Sequence, residues 1–209
     1  MKLYSLTGNT TAASPKFDSD GLNAPYATET SHAAVGWQQA ANNLYAETTF
    51  VCPAYWLADA YSAPVNPNAK GKAAWRYQFS VTDAFHGTDI APLMNDPATA
   101  GTKMDRVFRD SFRSIWTRFI IHGDPTLASA AGGTPGDNVA AAAAASWAPW
   151  GTVGKYKGGK GSGYPLLNLN VTGVAPEAAN LQVVDGVAWE GGRGDRCALW
   201  ASLGANIQQ

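Results

Sequence analysis

Three groups of residues in this 209-residue chain have side chains suited to more than packing. The first is the run Asp83-Ala84-Phe85-His86-Gly87-Thr88-Asp89-Ile90, where an imidazole precedes a glycine and a carboxylate follows three residues on. Imidazole titrates near neutral pH, so it can take a proton from a hydroxyl nucleophile and later return one to a leaving group. The second group is Cys52 and Cys197, the two cysteines, a number that permits one disulfide. The third is a pair of sequons, Asn9-Thr10-Thr11 and Asn170-Val171-Thr172, whose asparagines are candidate glycosylation sites. The remaining histidines read more plainly. His32 lies in a polar stretch, and His122 closes a helix, where a cation complements the dipole. Three histidines at these spacings make no zinc set, and neither metal nor organic cofactor is expected.

A histidine works only where elements hold it. Before His86 runs Trp75-Arg76-Tyr77-Gln78-Phe79-Ser80-Val81, an alternation that predicts a strand with Trp75, Tyr77, Phe79 and Val81 on one face. Residues 50–61 predict a helix with Pro53 in its first turn, where a missing N–H costs nothing. The strongest helical signal covers about residues 102–121. Met104, Val107, Phe108, Phe112, Ile115, Trp116 and Phe119 recur at three- and four-residue steps, with Arg106, Arg109, Asp110 and Arg113 opposite. Gly123 and Asp124-Pro125 stop that helix. Weak helical character covers 35–45, a short strand is expected at 165–169, and a terminal helix at 195–203. Residues 1–36 read as mainly irregular. The Ala- and Gly-rich stretch near 126–146 reads as a flexible surface insertion, and its six-alanine run offers no face to bury. The glycine- and lysine-rich piece 151–163 lacks the spacing of a phosphate loop.

Composition narrows the class. The chain is 45% hydrophobic and 15% charged, which is globular rather than disordered. Its net charge of −1 and the lack of a basic stripe argue against nucleic acid as a partner. No run of about 18 apolar residues exists to span a membrane. The cysteine pair and the sequons favour a secreted protein, with its signal peptide not on this chain.

Taken in order, these segments resemble the C-terminal part of the type-B carboxylesterase family, an α/β-hydrolase group that includes cholinesterases and fungal lipases. The resemblance rests on Val51-Cys52-Pro53, Phe85-His86-Gly87-Thr88-Asp89-Ile90, and Ile115-Trp116-Thr117-Arg118-Phe119 running into His122-Gly123-Asp124-Pro125. It continues through Trp147-Ala148-Pro149 with Leu166-Leu167-Asn168-Leu169, and ends at Cys197-Ala198-Leu199-Trp200. It covers about residues 48–203 and implies an α/β fold, the last strands and packing helices of a hydrolase sheet. It also implies that His86 is the triad histidine and that Cys52 and Cys197 form a disulfide. Asp89 is too near His86 to be the family's acid and becomes a candidate for supporting it from behind.

The departures are equally informative. The nucleophile elbow Gly-x-Ser-x-Gly is absent, and Gly161-Ser162-Gly163 lies after the histidine. Glu29 and Glu47 fall too close to His86 for the family's acid. The resemblance therefore implies an N-terminal segment or partner chain that supplies serine, acid and oxyanion hole for a small ester substrate. Alone, this chain is expected to be inactive. Phe85, Trp56, Leu93 and Met94 are candidate pocket linings. Two other classes compete: a catalytically inactive cholinesterase-like interaction module, and a carbohydrate-binding module built on the eight tryptophans.

Overall fold

A computed structural model describes residues 36–81, 86–94, 104–126, 135–145, 147–152, 163–172 and 178–204. Among these, helices cover both faces of a small mixed sheet of three strands, β1 (Arg76–Phe79), β2 (Pro165–Thr172) and β3 (Ala178–Asp185), in the order β1-β2-β3. β1 runs parallel to β2 and pairs Arg76 with Leu166 and Phe79 with Leu169. β2 and β3 are antiparallel, with Pro165 opposite Asp185 and Thr172 opposite Ala178.

The alternation before His86 forms a strand, and its two faces meet different layers. Tyr77 and Phe79 pack on α4 (Arg106–His122), with Tyr77 to Phe112 at 5.6 Å and Phe79 to Phe108 at 6.0 Å between ring centroids. Arg76 points the other way, its guanidinium 4.0 Å over the Tyr55 ring and 5.4 Å from that of Trp150. Burial lowers the pKa of that guanidinium to about 10. It remains a cation at neutral pH, held against two electron-rich faces.

α4 follows its sequence signals closely. The side chain of Asp105 caps the first turn by accepting the Phe108 N–H at 2.7 Å. Gly123, at φ +68°, ends the helix with its N–H on the Phe119 carbonyl at 2.8 Å. The stripe departs from expectation in two places. Arg109, assigned to the solvent side, is buried, whereas Phe119 at the end of the stripe is 45% exposed.

The first helical region is longer than its hydrophobic pattern implied. α1 (Gly36–Ala46) runs through a π-helical segment at Glu47–Val51 into α2 (Cys52–Tyr61). The Cys52 N–H reaches back five residues to the Glu47 carbonyl, just before Pro53, which has no N–H to give. Pro53 thus occupies the first turn of α2, but the chain enters from a widened helix rather than a loop.

The stretch expected to be a flexible insertion contains α5 (Pro135–Ala144). Its alanines do have a face to bury: Ala140 is fully enclosed and Ala143 nearly so, in one core with Phe108, Phe112, Leu167 and Val183. Small side chains let α5 lie close to that core. α6 (Trp189–Leu203) starts earlier than expected and packs against α2. Gly194 lets the turn before α6 fold onto the helix, since a Cβ there would come within 2.8 Å of the Val187 Cα. The Cys52–Cys197 disulfide joins α2 to α6, with the Cα atoms 5.0 Å apart. No described helix is long and apolar enough to cross a membrane.

Candidate functional site

Because β1 and β2 are parallel, both deliver their carboxyl ends to one edge of the sheet. That edge is where open α/β sheets place their ligand sites. The Ser80 N–H bonds the Leu169 carbonyl at 2.8 Å and carries the ladder one residue beyond β1. Residues 82–85, including Phe85, lie outside the described residues. The turn 86–89 follows and leads directly into α3 (Ile90–Met94). Gly87 adopts φ +83°, a left-handed backbone that glycine tolerates without strain, and the Ile90 N–H closes the turn on its carbonyl at 3.1 Å. Arg113 of α4 donates from Nε to the Leu93 carbonyl at 3.3 Å and so pins α3 to the long helix. The turn is therefore braced behind while His86 itself is exposed.

Asp89 does not orient that imidazole. Among the described residues no hydrogen bond or ion pair joins Asp89 to His86. Its carboxylate instead acts on Tyr77, whose phenol is pushed above its ordinary pKa, first by burial and then by this charge. The Asp89 charge thus acts on the β1 side chain Tyr77. The described serines nearest the core serve structure: Ser62 Oγ donates to the Trp150 carbonyl at 2.5 Å, and Ser111 Oγ to the Val107 carbonyl at 2.6 Å.

The candidate pocket linings do not converge. Trp56 packs with the cluster on the α2–α6 face, whereas Leu93 packs with the α4–α5 core across the sheet. Met94 is 79% exposed. The sequon asparagines also separate. Asn9 lies outside the described residues. Asn170 is buried in β2 at 2% exposure, its Oδ1 accepting the Val171 N–H at 2.8 Å. Of the tryptophans, Trp147, Trp150 and Trp189 are buried, and Trp56, Trp75, Trp116 and Trp200 are partly buried.

One constellation escaped the sequence reading. Glu47, set inward by the π-helical segment, is buried between two arginines of α6. Arg196 grips its carboxylate twice, from Nε at 2.8 Å and Nη2 at 2.5 Å, and Arg193 Nε approaches at 3.4 Å. Arg193 also donates through Nη1 to Gln78 of β1, and Gln78 Nε2 donates to Ser80 Oγ at 3.1 Å. In the sheet register Gln78 stands beside Asn168, and Asn168 beside Gln182, a row of amides across three strands on one face. The three-residue spacing of Arg193 and Arg196 on a helix was the available signal. Among the described residues no cluster of side chains suits a metal ion.

Comparison with protein-family models, with curated proteins and with solved structures yields no match to this chain.

Proposed function

We propose that this chain is the histidine-bearing part of a serine carboxylic-ester hydrolase of the α/β-hydrolase class, with His86 as general base and acid. One observation carries the reading. An exposed imidazole sits in a braced glycine turn beyond the carboxyl end of a parallel strand, where a reacting group can approach it. The order of segments shared with type-B carboxylesterases supports the same assignment, and so does the Cys52–Cys197 bond those segments imply.

In this mechanism His86 takes the proton of a serine hydroxyl as that oxygen attacks the ester carbonyl. It then delivers the proton to the departing alkoxide. The serine, the acid that fixes the imidazole tautomer and the donors that stabilise the oxyanion come from an N-terminal segment or a partner chain. Secretion fits the disulfide, and the ester is a small molecule.

The decisive experiment has two steps. Native mass spectrometry of unreduced material should reveal a second chain, or a longer form of this one, that carries Gly-x-Ser-x-Gly and reacts with a fluorophosphonate. In that assembled enzyme His86→Ala should lower hydrolysis of a p-nitrophenyl ester by roughly 10⁴-fold or more, with an unchanged circular dichroism spectrum. A rate within tenfold of the parent would sink the assignment.

A further inference from the structure

The two faces of the sheet each pair an apolar cluster with buried charge. On the α4–α5 face the cluster runs from Phe108 and Phe112 to Leu167 and Val183, and α4 also buries Arg109 and Arg118. On the α2–α6 face the cluster of Tyr55, Trp150, Trp189 and the two cysteines adjoins the buried charges of Glu47, Arg193 and Arg196. The disulfide sits within that charged layer. Cys197 follows Arg196 directly, and the Cys52 N–H bonds the Glu47 carbonyl. Both cysteines are almost completely enclosed. The crosslink joins α2 to α6, both on this face of the sheet, and ties neither to α4 or α5.

We propose that the Cys52–Cys197 disulfide is a redox latch on α6. A dithiol reductant that cleaves it lets α6 lift from the sheet while α4 and α5 stay packed. One thiolate of the reductant attacks either sulfur, and the other cysteine departs as a thiolate and takes up a proton. The second reductant thiol then displaces the mixed disulfide. Two electrons and two protons pass to Cys52 and Cys197, and the reductant leaves as a cyclic disulfide. Since both sulfurs are enclosed, attack follows a local opening of α6, and reduction holds the layer open. Opening also withdraws Arg193 from Gln78, and Gln78 bonds Ser80 at the strand end that leads to His86. That last consequence rests on the proposed role of His86; the latch does not.

Hydrogen exchange of the whole chain, read by mass spectrometry before and after dithiothreitol under native conditions, tests it. Protection of residues 195–203 should fall by about a hundredfold or more, while residues 106–122 and 165–172 stay within about threefold. Uniform loss across all three segments would make the bond a global brace and overturn the latch, as would an α6 that does not change. Cys52→Ser with Cys197→Ser should reproduce the reduced pattern. If that variant fails to fold, the disulfide is a global brace and the latch falls. None of these readouts involves an ester, so the latch and the esterase reading stand or fall separately.

Discussion

An exposed imidazole is useful to a reaction only if its turn holds still, and Arg113, far from His86 in sequence, ties α3 back to α4 through the Leu93 carbonyl. Behind the turn, burial and the Asp89 charge act on Tyr77, and that has a signature in pH. The Tyr77 phenol sits above its ordinary pKa of 10.0, so above about pH 10 the folded chain keeps a proton that the unfolded chain has lost. Stability contributed by that neutral phenol is present below pH 10 and drains away as the pH climbs through the raised value. Tyr77→Phe should therefore flatten the alkaline limb of the stability profile by up to about one proton, measured by denaturant midpoints between pH 8 and 11. An unaltered slope would mean that the phenol is not held neutral. His86 and its glycine were legible at this scale because their chemistry is local. The effect of Asp89 on Tyr77 was not, since sequence distance says nothing about which side chain a turn carboxylate acts on.

Elements were legible where one signal dominated. α4 announced itself through its stripe and its Gly123 stop, and β1 through strict alternation; the Asp105 cap and the start at Arg106 came from the structure. Asp105→Ala should cost about 1 kcal/mol in chemical denaturation through loss of the Phe108 N–H cap. A difference below about 0.3 kcal/mol would mean water replaces the carboxylate. α5 and β3 were hidden for opposite reasons. A run of alanines has no contrast between its faces, so only the tertiary neighbours Phe108 and Val183 decide which side is buried. β3, with Leu181 and Gln182 followed by Val183 and Val184, lacks a clean period, and its form comes from pairing with β2. Ala140→Glu separates a packed α5 from a surface loop. Placing a carboxylate at a fully enclosed position should destabilise by about 3 kcal/mol or more. A loop would tolerate it with almost no change.

At the scale of the molecule, the sheet divides the interior into two clusters that share strands but few side chains. Independence of the two can be measured. Phe112→Ala, on the α4–α5 face, should cost about 3–5 kcal/mol. Tyr55→Phe, on the other face, removes the hydroxyl that donates to the Gly186 carbonyl at 2.6 Å and should cost about 1 kcal/mol. The double variant should show the sum within about 0.5 kcal/mol, and a larger discrepancy would reveal communication through the sheet. A mixture of helices and strands was legible here, since α2, β1, α4, β2 and α6 each carried a sequence signal. The charged layer was not, because Glu47 and Arg196 lie 149 residues apart and meet only once α6 docks.

The row of Gln78, Asn168 and Gln182 gives the sheet a means of proofreading its own assembly. Strand neighbours have a period of two, so sliding β2 by one residue would turn Asn168 and Asn170 into the aromatic core and aim Leu167 and Leu169 at guanidinium groups. An all-valine strand could sit in either frame at similar energy. This one pays heavily for the wrong frame, on both faces at once. The chain thereby encodes an address for each strand in its pattern of amides and leucines.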